Sequence, residues 1–185
     1  GMGEVAFYQG RHDEAQRHYA AALELFRTAG NRRLIGRCLC WLGRIACRQG
    51  DITGAAALTA EALDLRRSIG HVMGILFSLD IGCAELALAA GEPLVAARLL
   101  GAVECARREQ GRPREPVEAQ EAERLIARLH EQISVADLTL CWSEGQEMAL
   151  DEAAAYALDT LSPVNLLRAH SRRGRELRLF ALGRG

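Results

Sequence analysis

A forty-residue internal repeat constrains this chain more than any other feature in it. Gly3, Ala6, Gln9-Gly10, Ala15, Ala22-Leu23, Leu25 and Gly30 recur, shifted by 40, as Gly43, Ala46, Gln49-Gly50, Ala55, Ala62-Leu63, Leu65 and Gly70. A degenerate third copy follows 41 residues later, with Ala87, Gly91, Ala96, Leu99 and Gly111 in the places of Ala46, Gly50, Ala55, Leu58 and Gly70. A fixed period of this length means stacked copies of one small supersecondary unit.

Each copy reads as a pair of helices. Between about 32 and 49, Ile35, Leu39, Leu42 and Ala46 fall on one stripe at i, i+4, i+7, i+11. Gln49-Gly50-Asp51 supplies turn chemistry, with Gly at the position where a left-handed cap ends a helix. A second helix at about 52–69 carries Ala55, Leu58, Ala62 and Leu65 and stops at Gly70. Composition agrees: 31 Ala and 27 Leu against 5% aromatics favour helices and exclude an all-β fold. The four prolines all stand at or after position 93. Residues 1–111 therefore hold three repeats (3–30, 32–70 and 72–111). Helices at about 116–132, 135–146 and 151–160 make residues 112–160 a capping element, and 161–185 is a basic tail or terminal helix. The expected fold is an all-α superhelix of helical hairpins.

Leu42-Gly43, Ala46, Gln49-Gly50-Asp51, Ala55 and Ala62 resemble the tetratricopeptide repeat pattern, in a type longer than the usual 34 residues. The stretch AAGEPLVAARLLGAVECARREQG, together with LCWSEGQEMALDEAAAYAL, is similar to the C-terminal end of the tetratricopeptide sensor region in bacterial LuxR-type or ATPase-linked (STAND) transcriptional regulators. The resemblance covers roughly residues 3–160. It implies a non-catalytic scaffold, the interaction or sensor region of a larger regulator. The nucleotide-binding loop and helix-turn-helix of such regulators have no counterpart motif here, so contact with nucleic acid falls to domains outside this stretch.

Charge and chemistry narrow the function further. Net charge is −1, so the chain as a whole has no basic footprint for nucleic acid. The balance is uneven: residues 161–185 hold six Arg against Glu176 alone, which makes DNA contact through this basic tail a third reading, and all 23 cationic residues are Arg. No apolar run approaches the roughly 18–20 residues of a membrane span, which leads to the expectation of a cytoplasmic protein without a membrane partner. The six cysteines form no CxxC pair and read as reduced, mostly buried thiols. Five scattered histidines give neither HExxH nor paired spacing, and neither GxSxG nor GxGxxG occurs. The expectation is no catalytic residue, no metal and no cofactor.

The remaining functional feature is an arginine stripe. Arg37, Arg44 and Arg48 lie within about 40° of one line on a helical projection, opposite Leu39, Leu42 and Ala46. In tetratricopeptide arrays the first helix of each repeat lines the concave groove. The resemblance therefore places Arg37, Cys40, Arg44, Cys47 and Arg48 there, with Tyr8 from the repeat before and Glu85 from the one after. Guanidinium groups so arranged can grip an acidic peptide or a carboxylate; the alternative is a solvated helix face. In either case Arg44 is expected to face solvent and to matter little for stability. The partner is a protein or peptide in the groove, with a small-molecule effector as the second reading. Apolar surface around Val5, Ala6 and Leu23 is expected to stand uncovered at the N-terminal end and to support a homodimer.

Overall fold

The computed structural model describes residues 1–167, and all regular structure among them is helical. The order is α1 (Met2–Tyr8), α2 (His12–Thr28), α3 (Arg32–Arg48), α4 (Ile52–Ser68), α5 (Val72–Ala89), α6 (Pro93–Glu109), α7 (Pro116–Gln132), α8 (Val135–Gln146) and α9 (Leu150–Thr160). A further helical turn begins at 163. Of the basic tail read at 161–185, residues 168–185 lie outside the described residues. Its beginning is part of the core, since Leu161 and Leu166 are buried.

The boundaries follow local chemistry. Gly50 closes the α3–α4 hairpin at φ +84°, a conformation that would strain any side chain with a Cβ. Asn31 and Asp51 accept hydrogen bonds from the backbone N–H groups of Leu34 and Gly54 and so start α3 and α4. Pro93 and Pro116 open α6 and α7, where a missing N–H costs nothing.

Sequential helices pack as antiparallel hairpins, α1 on α2 and α3 on α4, with α2 also against α3. Small residues let them close. A Cβ at Gly43 would sit 2.7 Å from the Thr59 hydroxyl, and one at Gly3, forty residues earlier, would sit 2.7 Å from the Tyr19 ring. The odd-numbered α1, α3 and α5 form the inner layer. One core gathers Phe7, Tyr19, Leu39, Trp41 and Ile45, the other Leu76, Leu86, Leu99, Leu100 and Leu129.

Helix α5 departs from regularity. Its middle, Ser78–Cys83, is a wide π-type turn flanked by α-helical halves. At 18 residues this helix is also long and apolar enough to span a bilayer, which corrects the expectation that no run approaches that length. It is a core helix: 78% of it is buried inside the protein, and its Asp80 and Glu85 are held by arginines.

The C-terminal helices do more than seal the last repeat. Helix α8 packs along α6, and α9 returns to touch α4, α5 and α6. Helix α7 instead crosses α5 on the inner side. Its direction is set by the preceding loop. Arg107 donates to the carbonyls of Arg112 and Pro113, while Arg114 makes a two-pronged pair with the buried Asp80 at 2.7 and 3.0 Å. The N-terminal end also differs from expectation. Ala6 and Leu23 are buried by their own hairpin and by α3, so of the three residues only Val5 is exposed.

Candidate functional site

The inner face has a buried centre and an open pocket, and both begin at α3. Arg44 stands at the centre with 1% of its surface exposed. Its Nε donates to Glu85 of α5 at 3.0 Å, and a terminal nitrogen donates to Glu121 of α7 at 2.9 Å. The guanidinium lies 4.6 Å from the Phe7 ring centroid and 4.7 Å from that of Trp41. Arg48, one turn on and 41% exposed, reaches both carboxylates as well, pairing with Glu85 and lying 3.6 Å from Glu121. Burial works against the charge on Arg44, but Glu85, Tyr8 and Glu121 carry its pKa above the ordinary range.

This placement overturns the expectation of a solvent-facing Arg44: α7 lands on the stripe and takes its charge. Glu85 belongs to the same buried centre. Cys47 is half-buried beside the Glu85 backbone carbonyl, and burial, with help from the Glu85 charge, pushes its thiol up to about 12. Cys40 is wholly buried against α5, its sulfur 3.3 Å from where a Gly82 Cβ would stand, so it lines no groove. Of the seven expected residues, Tyr8 and Arg37 line the open space beside this centre, with Arg37 held by Glu4 at 2.6 Å, while Arg48 is exposed outside it.

That open space is a cavity of about 990 Å³ on the inner face. Val5 and Tyr8 of α1, Trp41 of α3, Met73 and Phe77 of α5 and Val117 of α7 give it apolar walls. Trp41 is the hub of the aromatic wall, with Tyr8, Phe7 and Phe77 at 5.2 to 6.1 Å and Tyr19 stacked at 5.5 Å. Its indole N–H has no hydrogen-bond partner.

One lining residue escaped the sequence reading because it stands on an outer helix. Arg66 of α4 passes between Gly36 and Gly74: a Cβ at either glycine would lie 3.2 or 2.8 Å from its side chain. The guanidinium thereby reaches the inner face, where it donates to the Gly74 carbonyl and the Ser78 hydroxyl, both at 2.6 Å. Two glycines inside helices, where each costs up to ~1 kcal/mol against Ala, were the available sign of a close approach. His71 sits at the same rim, 3.3 Å from Arg33. Burial and the charges of Arg33 and Arg66 lower its pKa below the ordinary 6.5. No group of three or more metal-ligating side chains occurs among the described residues.

Hairpins with small residues at each crossing, stacked at a period of 40, are the geometry of one helical-repeat family, and its model matches residues 1–68. Residues 1–68 are tetratricopeptide repeats. Tetratricopeptide repeats in general serve as non-catalytic scaffolds for protein–protein contact. A similar protein is "Regulatory protein AfsR" of Streptomyces griseus, 36% identical over 76 residues, which is 41% of this chain and 8% of that protein. The chain thus spans a small fraction of the length of its regulatory relative. No solved structure matches it.

Proposed function

We propose that this chain is the interaction and sensing region of a bacterial, LuxR-like signal-transduction or transcriptional regulator, working in the cytoplasm. It catalyses nothing itself. A protein or peptide partner docks on the inner face of α1, α3 and α5, and nucleic acid is handled by domains outside the chain. The supporting observation is the open aromatic-walled pocket on the layer that tetratricopeptide repeats use for contact. The six free thiols fit a reducing compartment. A photo-crosslinking residue at Leu34, in the pocket wall, tests the reading against one at Leu25, on the exposed outer face. Capture of the regulator's own partner domain from Leu34 and not from Leu25 is expected; equal capture from both ends the groove reading.

The position of α7 favours a second reading, an effector sensor. By filling the inner face around Arg44, α7 cuts the groove down to a pocket at the upper end of small-molecule size. A metabolite that fills it touches α1, α3, α5 and the start of α7 together and so biases how they pack. Thermal-shift screening tests this, because a ligand specific to the folded state raises the melting temperature.

A further inference from the structure

The pocket has an electrical peculiarity. Most arginines of the inner face are matched by carboxylates: Arg37 by Glu4, Arg44 and Arg48 by Glu85 and Glu121, and Arg107 and Arg114 by Asp80, Glu104 and Glu118. Arg66 is not. Only 3% exposed, it makes two hydrogen bonds to neutral acceptors, its Nε is unpartnered, and no salt bridge to it exists among the described residues. A buried guanidinium without a counter-charge is costly, and buried charges are ordinarily paired; here the guanidinium lies over the Phe77 ring, 5.6 Å from its centroid. The adjoining rim repeats the pattern. Arg32 and Arg33 bond to Ser68 and His71 rather than to carboxylates, and Arg112 joins them around the neighbouring depression. Burial first, and then the charges of Arg33 and Arg66, lower the basicity of His71 at this rim. The two acids at this end, Glu4 and Glu118, are already committed to Arg37 and Arg107.

We propose that the pocket binds a small organic oxyanion on a flat apolar body. Arg66 and Arg33 take the anionic group, and Trp41, Phe77 and Tyr8 hold the body. This rests on the effector reading and narrows it. The walls favour a ring system, since Trp41 and Phe77 stand 6.1 Å apart at a 52° tilt. The first turn of α7 closes the space through Val117 and Glu118, which suits a compact molecule rather than a continuing chain. Occupation supplies the charge that Arg66 lacks.

The test uses 8-anilinonaphthalene-1-sulfonate as probe and its neutral parent, 1-anilinonaphthalene, as control. Binding is read in the full chain by energy transfer from Trp41, with Trp142→Phe removing the other tryptophan. One molecule of sulfonate probe should bind per chain. Arg66→Met should weaken it on the order of tenfold or more, as expected for loss of a charge-assisted bond, and should leave the neutral parent unchanged. Because Arg66 is buried, Arg33→Ala, at an exposed position, serves as the second variant and should weaken the sulfonate severalfold. Displacement by 1-naphthoate or by 1-naphthyl phosphate, whichever is stronger, identifies the natural anion as carboxylate or phosphate. Equal affinity in the wild type and both variants, equal affinity for the neutral parent, or displacement by neither competitor overturns the proposal. If neutral metabolites still raise the melting temperature in that case, the effector reading survives and only the anion falls.

Discussion

Arg44→Met is the sharpest test of how the inner face is held together. The substitution keeps most of the volume and removes the buried charge between Glu85 and Glu121, which are 3% and 4% exposed as side chains. Removing one member of a buried ion pair typically costs about 3–5 kcal/mol, because the charge left behind stays desolvated. Loss of the contacts with Phe7 and Trp41 adds to this, at about 0.5–2 kcal/mol each. Arg48 offsets part of it by keeping hold of Glu85, and Arg124, 2.6 Å from Glu121, by keeping hold of that carboxylate. A net loss of about 3 kcal/mol follows, or roughly 6–12 °C in melting temperature for a domain of this size. Urea unfolding followed by far-ultraviolet circular dichroism should show the midpoint falling with the slope unchanged. The triple variant Arg44→Met, Glu85→Leu, Glu121→Leu should recover most of the loss, since apolar packing can replace a buried ionic cluster. A single-variant loss below about 1 kcal/mol, or a triple variant no better than the single, refutes the reasoning.

Gly145→Ala should destabilise by about 1–3 kcal/mol or more, because its Cβ would fall on the Arg98 carbonyl where α8 meets α6; thermal melts measure it. Asp80→Asn should cost about 3–5 kcal/mol by leaving Arg107 and Arg114 without their buried carboxylate, and should free the 110–115 loop to faster amide exchange. His71 has a folded-state pKa below its unfolded value, so the stability linked to it is present above pH ~6.5 and is lost as pH falls through the lower folded value. Melting temperatures from pH 7 to 5 should therefore decline less steeply in His71→Asn than in the wild type, and identical slopes would remove His71 from the account.

The helices and their pairing were legible in the sequence because each depends on local chemistry. Gly50 ends a helix by its own backbone freedom, and Ala55 and Ala62 mark a crossing by their size. The inner face was less legible, because a helical projection gives a direction and not what lies in that direction. Arg44 points away from Leu39 and Leu42 as its spacing says, yet it meets α7 rather than water. The sign was on α7 itself: Glu121 is buried beside Ala122 and Leu125, a carboxylate on a packing stripe in search of a cation. Arg66 was hidden for a related reason, since outer helices are not expected to furnish inner surfaces. A path through two glycines on neighbouring helices is a property of the assembled fold.

The wide turn in α5 accounts for an irregularity in the period. The left-handed glycines at 10, 30, 50 and 70 are spaced twenty apart, and so are those at 91 and 111, but Gly70 and Gly91 are separated by twenty-one. The surplus residue lies in α5, and a π-type turn is how a helix stores one residue more than its neighbours without breaking. In an unbroken α-helix the surplus would rotate everything after it by about 100°. Glu85 would swing off Arg44, and Ala84 and Ala87 would leave the seam they share with α6. Ser78–Cys83 therefore acts as a phase correction, which lets a 41-residue copy stack in step with 40-residue neighbours.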